Sequence, residues 1–231
     1  IIFFICLNIF VYEYFNQNWS SKFIYLIIIS LTFIFLLNLF DDYKNISANF
    51  RLISTSIVLF FLFTINSDFS VNKLYFSSID KIVYLNQGSI FFSLLCVLLL
   101  SNAINLFDGF NGISLSHFLI WYLILFNENI FNNYFYLANL IFLVLLLIIN
   151  LKNISFIGNS GSACIGFFIS ILIINSYHSG NVNSVENIFL FFLIPGIDML
   201  RLFVLRIASK KNPFDADNQH LHHYIIKNFK N

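Results

Sequence analysis

Long apolar runs without a single charge are the feature that most limits how this sequence can fold. A helix needs about 20 mainly apolar residues to cross the ~30 Å hydrocarbon core of a bilayer, and several runs approach that length. A water-soluble domain carries roughly a quarter charged residues, whereas this chain of 231 residues is 10% charged and 59% hydrophobic. Lipid is therefore the expected solvent, and the sequence predicts a membrane protein.

The uncharged runs predict an all-α, polytopic transmembrane bundle with about eight spans. Strands of a membrane barrel would be ~10 residues long and would alternate in polarity, which these runs do not. The chain opens inside an apolar run at Ile1 and stops at Asn231, so we expect spans to be missing at both ends. No linker divides the chain, which predicts one partial membrane-embedded domain over residues 1–231. The predicted spans are 1–12, 23–40, 52–66, 89–107, 113–127, 134–151, 163–177 and 187–205.

Counting these spans sorts the loops onto two sides of the membrane. One side receives 41–51, 108–112, 152–162 and 206–223; the other receives 13–22, 67–88, 128–133 and 178–186. The first set holds six lysines and arginines and the second holds three, so the positive-inside rule places the first set in the cytoplasm. The segment 66–82 is read as a polar excursion with an amphipathic turn. The net charge of +1 offers no basic stripe for nucleic acid.

Asp41 and Asp42 end the second predicted span and form the first candidate site. Negative charge at a helix C-terminus opposes the helix macrodipole, so helix stability does not explain the pair. Adjacent carboxylates also repel each other unless a cation is near. A catalytic role is one interpretation, and a solvated helix end is the other.

A second polar cluster crosses the end of the 89–107 span at a three-residue spacing. Side chains at this spacing share one face of a helix, where polar groups within lipid are costly without partners. Asp-Gly and Asn-Gly are also ordinary turn dipeptides, so a simple turn is the competing interpretation. The members of this cluster are Asn102, Asn105, Asp108 and Asn111.

The cytoplasmic loop before the 163–177 span contains Asn159 among glycines and serines. Small residues leave backbone N–H groups accessible, and a helix N-terminus there would attract phosphate. A loop followed by an N-cap fits the same residues.

The last cytoplasmic loop holds His220, His222 and His223 close to two aspartates. Zinc would call for a motif or cysteine partner that this sequence lacks, whereas oxygen-rich loops favour Mg²⁺ between carboxylates and phosphates. The histidines are then expected to contact phosphate or sugar, with a plain surface loop as the alternative.

Asp198 and Arg201, three residues apart behind a Pro-Gly kink, form a self-neutralising pair in which Asp198 is expected to face the cavity.

Together these motifs resemble the polyprenyl-phosphate N-acetylhexosamine-1-phosphate transferase family over residues 33 to 224. The resemblance implies a multi-helix fold in the bacterial inner membrane, a cytoplasmic site, and transfer of N-acetylhexosamine 1-phosphate from a UDP-sugar to undecaprenyl phosphate with release of UMP. It also implies Mg²⁺ (with Mn²⁺ as a substitute) and is compatible with a homodimer. The HLHH sequence looks like the N-acetylglucosamine branch, which initiates cell-surface glycans such as O-antigen.

Several residues match the family motifs position by position. Asp41 and Asp42 match the acidic pair near the lipid phosphate and metal, and Arg51 is expected to hold phosphate. The family's NxxNxxDGx(D/N)G motif, at the nucleotide, is matched by Asn102, Asn105, Asp108 and Asn111. Its PxxDxxR motif is matched by Asp198 and Arg201, and its HxHH loop, which contacts the donor, is matched by His220, His222 and His223.

One position departs from the family pattern: the GDxGS loop normally carries an aspartate where this chain has Asn159. We expect Asp42 and Asn159 to ligate the metal, Asp41 to orient the acceptor, and Asp108 to act at the catalytic site. Direct displacement by the lipid phosphate is favoured, because phosphoryl transfer depends mainly on positioning and charge neutralisation. A covalent aspartyl phosphate, a catalytically impaired homologue, a transporter and a structural membrane protein stay as alternatives.

Overall fold

The computed structural model describes residues 1–15, 20–66, 69–109, 111–126, 133–178, 180 and 182–210. Over these residues the chain is an α-helical bundle with one small β-hairpin, in agreement with the predicted all-α class. The helices are α1 (Ile2–Phe15), α2 (Ser21–Lys44), α3 (Ala48–Ile65), α4 (Ser89–Phe107), α5 (Ile113–Leu125), α6 (Tyr134–Leu151), α7 (Gly158–His178), α8 (Val185–Phe191) and α9 (Leu193–Ala208). The hairpin consists of β1 (Lys73–Phe76) and β2 (Lys81–Tyr84).

The prediction of eight spans is too high for the described part of the chain, where five helices are long and apolar enough to cross a membrane. These are α2, α3, α4 together with the turn before it, α6 and α7. The helices α1 and α5, of 14 and 13 residues, are shorter than a span requires.

The eighth predicted span is divided at Phe192 into α8 and α9. Pro195 lies in the first turn of α9, the helical position where a missing N–H is tolerated.

Helix α7 forms the centre of the bundle, with 89% of its spanning window buried, compared with 22–39% for the other four spans. It packs against α1, α2, α4 and α5. Gly166 allows α4 to approach closely, because a Cβ atom there would lie 2.6 Å from the Cα of Ser101 on α4. Serines and glycines are among the buried residues of α7, and in membranes small residues of this kind let neighbouring helices approach closely. The burial of α7 fixes the position of its N-terminus.

The segment read as a polar excursion contains the antiparallel hairpin, with Lys73 opposite Tyr84 and Phe76 opposite Lys81. The backbone groups of a hairpin form hydrogen bonds between its two strands. The alternation of polar and apolar residues in so short a segment was too brief to predict these strands. It lies at the end of the bundle where α2 begins, because Phe69 packs on Phe23. The opposite end, where α2 finishes, carries the polar residues described next.

Candidate active site

The reversal between α2 and α3 brings Asp41 and Arg51 together. Asn45 ends α2 in the left-handed conformation and donates its N–H to the Asp41 carbonyl at 2.9 Å. Ser47 then caps α3 by accepting from Phe50 N–H. Arg51 lies in the first turn of α3, and its Nη1 donates to Asp41 Oδ2 in a hydrogen-bonded ion pair. The pair is largely buried and so neutralises a carboxylate that would otherwise be costly at this depth.

The neighbouring Asp42 caps a different helix from the one that contains it. Its Oδ1 accepts from the backbone N–H of Asn159 at 3.2 Å, and its Oδ2 accepts from that of Ser160 at 3.4 Å. Both N–H groups belong to the first turn of α7, where backbone donors have no intrahelical partner and the macrodipole is positive. The charge that is unfavourable at the end of α2 is therefore stabilised by the start of α7.

Gly158 makes this approach possible for two separate reasons. Its φ of +71° lies in the left-handed region that side chains rarely adopt. A Cβ atom at this position would also lie 3.2 Å from Asp42 Oδ2. The sequence left two interpretations of this loop, a phosphate-binding helix N-terminus and a loop followed by an N-cap. In the structure the N–H groups of Asn159 and Ser160 bind the Asp42 carboxylate.

Asn159 and Ser162 connect α7 to two other helices. Asn159 Nδ2 donates to Asp41 Oδ2 at 3.3 Å, so Asn159 binds Asp41 through its side chain and Asp42 through its backbone N–H. One turn later, Ser162 Oγ donates to Asn105 Oδ1 on α4 at 2.7 Å. Asn102 and Asn105 also line a narrow cavity that Arg51 borders from α3. The structure thus brings Asp41, Asp42, Arg51, Asn102, Asn105 and Asn159 to one end of the bundle.

Asn111 belongs to a different loop contact, and no bond within the described part of the chain joins it to the two aspartates. Its Nδ2 donates to Asn153 Oδ1 in the loop after α6. Asn150, in the last turn of α6, accepts from Gly112 N–H and donates to the Ser155 carbonyl. Sequence reasoning missed Asn150; the available signal was an amide in the last turn of a mainly apolar span. It holds together two of the four loops predicted to share a face.

Asp108 is the C-cap of α4, and its backbone N–H bonds to the Ile104 carbonyl. Burial raises the pKa of its carboxyl to about 6, and the Ser114 hydroxyl opposes this rise. Among the described residues, no contact joins its side chain to Asp41 or Asp42. Asp108 is partly buried, whereas Asp42 is exposed and accepts hydrogen bonds from two backbone N–H groups.

The remaining predicted residues are Asp198, Arg201 and the three histidines of the last loop. Asp198 is buried and accepts from Arg201 Nη2 at 2.9 Å within α9, which matches the predicted structural pairing of Arg201. His220, His222 and His223 fall in residues 211–231, outside the described residues.

The donor chemistry beside α7 suits a hard divalent cation. Asp42 accepts one N–H bond on each oxygen, and a carboxylate offers about four lone-pair sites. Both bonds to the Asp41 side chain fall on Oδ2. Within the described ranges no three His, Cys, Asp or Glu side chains gather as a complete metal cage. Mg²⁺ is commonly held by one or two carboxylates and completed by water and phosphate oxygens, so Asp42, with Asp41 and Asn159 beside it, fits such an ion.

Comparison with known proteins places this arrangement in a family. The model described as glycosyl transferase family 4 matches residues 2–177. The undecaprenyl-phosphate alpha-N-acetylglucosaminyl 1-phosphate transferase of Haemophilus influenzae is 33% identical over 73 residues, which cover 31% of this chain and 21% of that protein. The protein of the same name from Yersinia pestis is 32% identical over 74 residues, covering 31% and 20%. The matched stretch therefore spans about a fifth of these curated relatives. Because the family model matches most of the length of this chain, the chain belongs to glycosyl transferase family 4.

Proposed function

We propose that this chain transfers N-acetylhexosamine 1-phosphate from a UDP-sugar to undecaprenyl phosphate at the cytoplasmic face of a bacterial inner membrane. The observation that carries the proposal is the meeting of Asp41, Asp42, Arg51 and Asn159 at the N-terminus of α7. The names of the relatives supply the acceptor and the sugar-phosphate class. The excess of basic residues in loops at this end supplies the orientation.

In the proposed reaction a phosphate oxygen of the lipid attacks the β-phosphorus of the donor. A new P–O bond forms to the lipid phosphate, the bond from the β-phosphorus to the bridging oxygen breaks, and UMP leaves with that oxygen. The lipid phosphate has a second pKa near ~6, so it is mostly dianionic at neutral pH. The attacking group therefore needs placement and charge neutralisation more than deprotonation.

The residues at the α7 N-terminus are suited to placement and neutralisation. Arg51, ion-paired with Asp41, brings its guanidinium group to the narrow cavity. Asn102 and Asn105 supply amide groups to the same cavity. Mg²⁺ bound beside Asp42 would supply neutralisation of the pyrophosphate charge. A route through an aspartyl phosphate would need the attacking carboxylate to leave its bonds, and Asp42 accepts two N–H bonds at the helix end.

The test is UMP release from UDP-N-acetylglucosamine in vesicles that contain the protein, undecaprenyl phosphate and Mg²⁺. Asp42→Asn is expected to lower the rate at least about 100-fold, the scale of losing a transition-state charge interaction. Asp80→Asn provides the matched control, because it makes the same change in the hairpin turn at the other end of the bundle. Equal rates for native protein and Asp42→Asn would overturn the assignment of Asp42.

The same assay separates the alternative functions. A transporter should place its polar groups near the bilayer midplane, with access from both faces, whereas the hydrogen-bonded cluster here lies at the end of α2 and the start of α7. Absence of UMP release by the native protein, with its fold intact, would favour an impaired homologue. Parallel assays with other UDP-N-acetylhexosamines would identify the sugar.

A further inference from the structure

The β-hairpin carries a group of large apolar side chains that the helical bundle does not cover. Ile79 in the turn is 67% exposed, and Ile82 and Tyr84 on β2 are 45% and 66% exposed. Lys73 and Lys81 stand at opposite ends of the two strands. Four-residue strands offer little apolar surface of their own to bury, so packing within the hairpin does not account for these side chains.

Hydrogen bonds hold the hairpin along the end of the bundle instead of letting it project away. They attach its base, its middle and its tip to three different helices. The bonds run from Val71 N to Ser93 Oγ at 2.7 Å, from Tyr75 N to Tyr177 Oη at 2.8 Å, and from Ser78 N to Glu186 Oε1 at 3.0 Å. Since all three attachments lie on the β1 side or the ends of the hairpin, β2 is the strand that faces outward.

The attachment points also fix the depth of the hairpin in the bilayer. Ser93 lies in the first turns of the α4 span, and Tyr177 lies in the last turn of the α7 span. The headgroup layer is only about 5–8 Å thick on each side of the hydrocarbon. A hairpin held flat against span ends therefore stays within this layer. Near the same end of the bundle, Ile65 at the end of α3 and Phe91 in the first turn of α4 are likewise 45% and 71% exposed.

We propose that the exposed face of the hairpin, formed by Ile79, Ile82 and Tyr84, is an interfacial anchor that binds the lipid headgroup layer at the end of the bundle opposite Asp42. Tyrosine concentrates at this level of membranes because one end of its ring is apolar and the other is polar. Lysine places its stem against lipid and its ammonium group near phosphates. Helix α2, with 24 residues and about 1.5 Å per residue, separates the anchor from the site by roughly a membrane thickness. The anchor does not depend on the proposed reaction.

The test measures the depth of spin labels on the whole chain in vesicles of phosphatidylethanolamine and phosphatidylglycerol. Cys96→Ala removes the one exposed cysteine, while Cys6 and Cys164 are buried and protected from labelling. Nitroxide labels are attached at Ile82→Cys and, separately, at Tyr84→Cys. Collision with oxygen, which dissolves in lipid, is compared with collision with a water-soluble nickel chelate. The two control labels are at Leu99→Cys, which is exposed on α4, and at Lys152→Cys, in the loop after α6.

The labels at 82 and 84 are expected to give oxygen-to-nickel ratios between those of the two controls, several-fold above the ratio at Lys152→Cys. A ratio equal to that at Lys152→Cys would place β2 in water and overturn the anchor. Poor collision with both reagents would show coverage by protein, such as a second copy of this chain, and would also overturn it. Labels at two positions guard against one variant that fails to fold, which elution as a single species in detergent would reveal.

Discussion

The Asp42 carboxylate accepts a hydrogen bond from the backbone N–H of Asn159, a residue 117 positions further along the chain, at 3.2 Å. This contact joins the end of α2 to the start of α7, the most buried span. It turns a carboxylate that is misplaced on its own helix into the cap of another. Any change that separates the two residues should therefore affect both the stability of α7 and the geometry of the candidate site.

Gly158→Ala should separate them directly. The new Cβ atom meets Asp42 Oδ2 at 3.2 Å and also forces alanine into a φ of +71°. We expect a loss of about 1–3 kcal/mol in unfolding free energy, the usual cost of such strain, and a loss of UMP release. Gly180→Ala is the matched control, because its φ is +79° but its Cβ would meet no atom of the described residues within 4 Å. It should lose stability and keep activity; equal loss of activity in both variants would contradict the contact argument.

Removal of Arg51 should destabilise the chain through Asp41. Arg51→Met leaves a buried carboxylate without its cation, which we expect to lower the unfolding free energy by about 1.5–3 kcal/mol. The double variant Asp41→Asn with Arg51→Met should recover part of this loss, because no uncompensated charge stays behind. Chemical denaturation in detergent micelles is used for Arg51→Met, for the single variant Asp41→Asn and for the double variant. Strict additivity of the two single effects would show that the pair does not couple.

Asp108 should make stability depend on pH. Burial raises the pKa of its carboxyl from 3.8 to about 6, so between these values the folded chain holds a proton that the unfolded chain has released. The contribution of Asp108 to stability therefore falls as pH rises from about 4 to 6 and stays low above that range. Asp108→Asn keeps a neutral side chain at all pH values. Its melting temperature should equal that of the native chain near pH 4 and exceed it at pH 7; a constant difference across this range would contradict the burial effect.

Asn159→Asp should strengthen the response to divalent cations. The variant exchanges an amide donor to Asp41 for a third carboxylate, so it should melt lower than the native chain without metal because like charges repel. Added Mg²⁺ should raise its melting temperature by more than it raises that of the native chain. Asn86→Asp, an exposed change beside the hairpin, controls for general charge effects at constant ionic strength. Identical Mg²⁺ shifts in all three proteins would remove Asn159 from the ion's surroundings.

Asn150→Leu should loosen the two loops that this amide joins. It removes the acceptor of Gly112 N–H and the donor to the Ser155 carbonyl. Each unsatisfied buried group costs about 1–3 kcal/mol, and hydrogen exchange at Gly112 should become faster. Asn139→Leu is the control in the same helix, because among the described residues Asn139 bonds only to the Phe135 carbonyl of α6. Unchanged exchange at Gly112 would mean that the loop holds its shape without Asn150.

Apolar runs and polar loops determined the membrane setting, the helical class and the candidate residues, because hydropathy and span length act locally along the chain. The three-residue spacing of Asn102 and Asn105 likewise placed both on the side of α4 that lines the cavity. Hydropathy did not show that Pro195 lies in the first turn of a helix, because hydropathy does not depend on whether a residue has a backbone N–H. The sequence patterns also predicted one span where the structure has the two helices α8 and α9, and they did not predict the hairpin.

The compensation of the acidic pair was decided only by tertiary structure. Read along the chain, Asp42 opposes the dipole of its own helix, and nothing nearby in sequence offsets it. In the fold, Asn159 and Ser160 supply N–H groups, and Arg51 supplies a cation to Asp41. These partners depend on which helix surrounds which, and that choice follows from the burial of α7 among α1, α2, α4 and α5. Long-range electrostatics of this kind becomes visible only when the packing brings distant segments into contact.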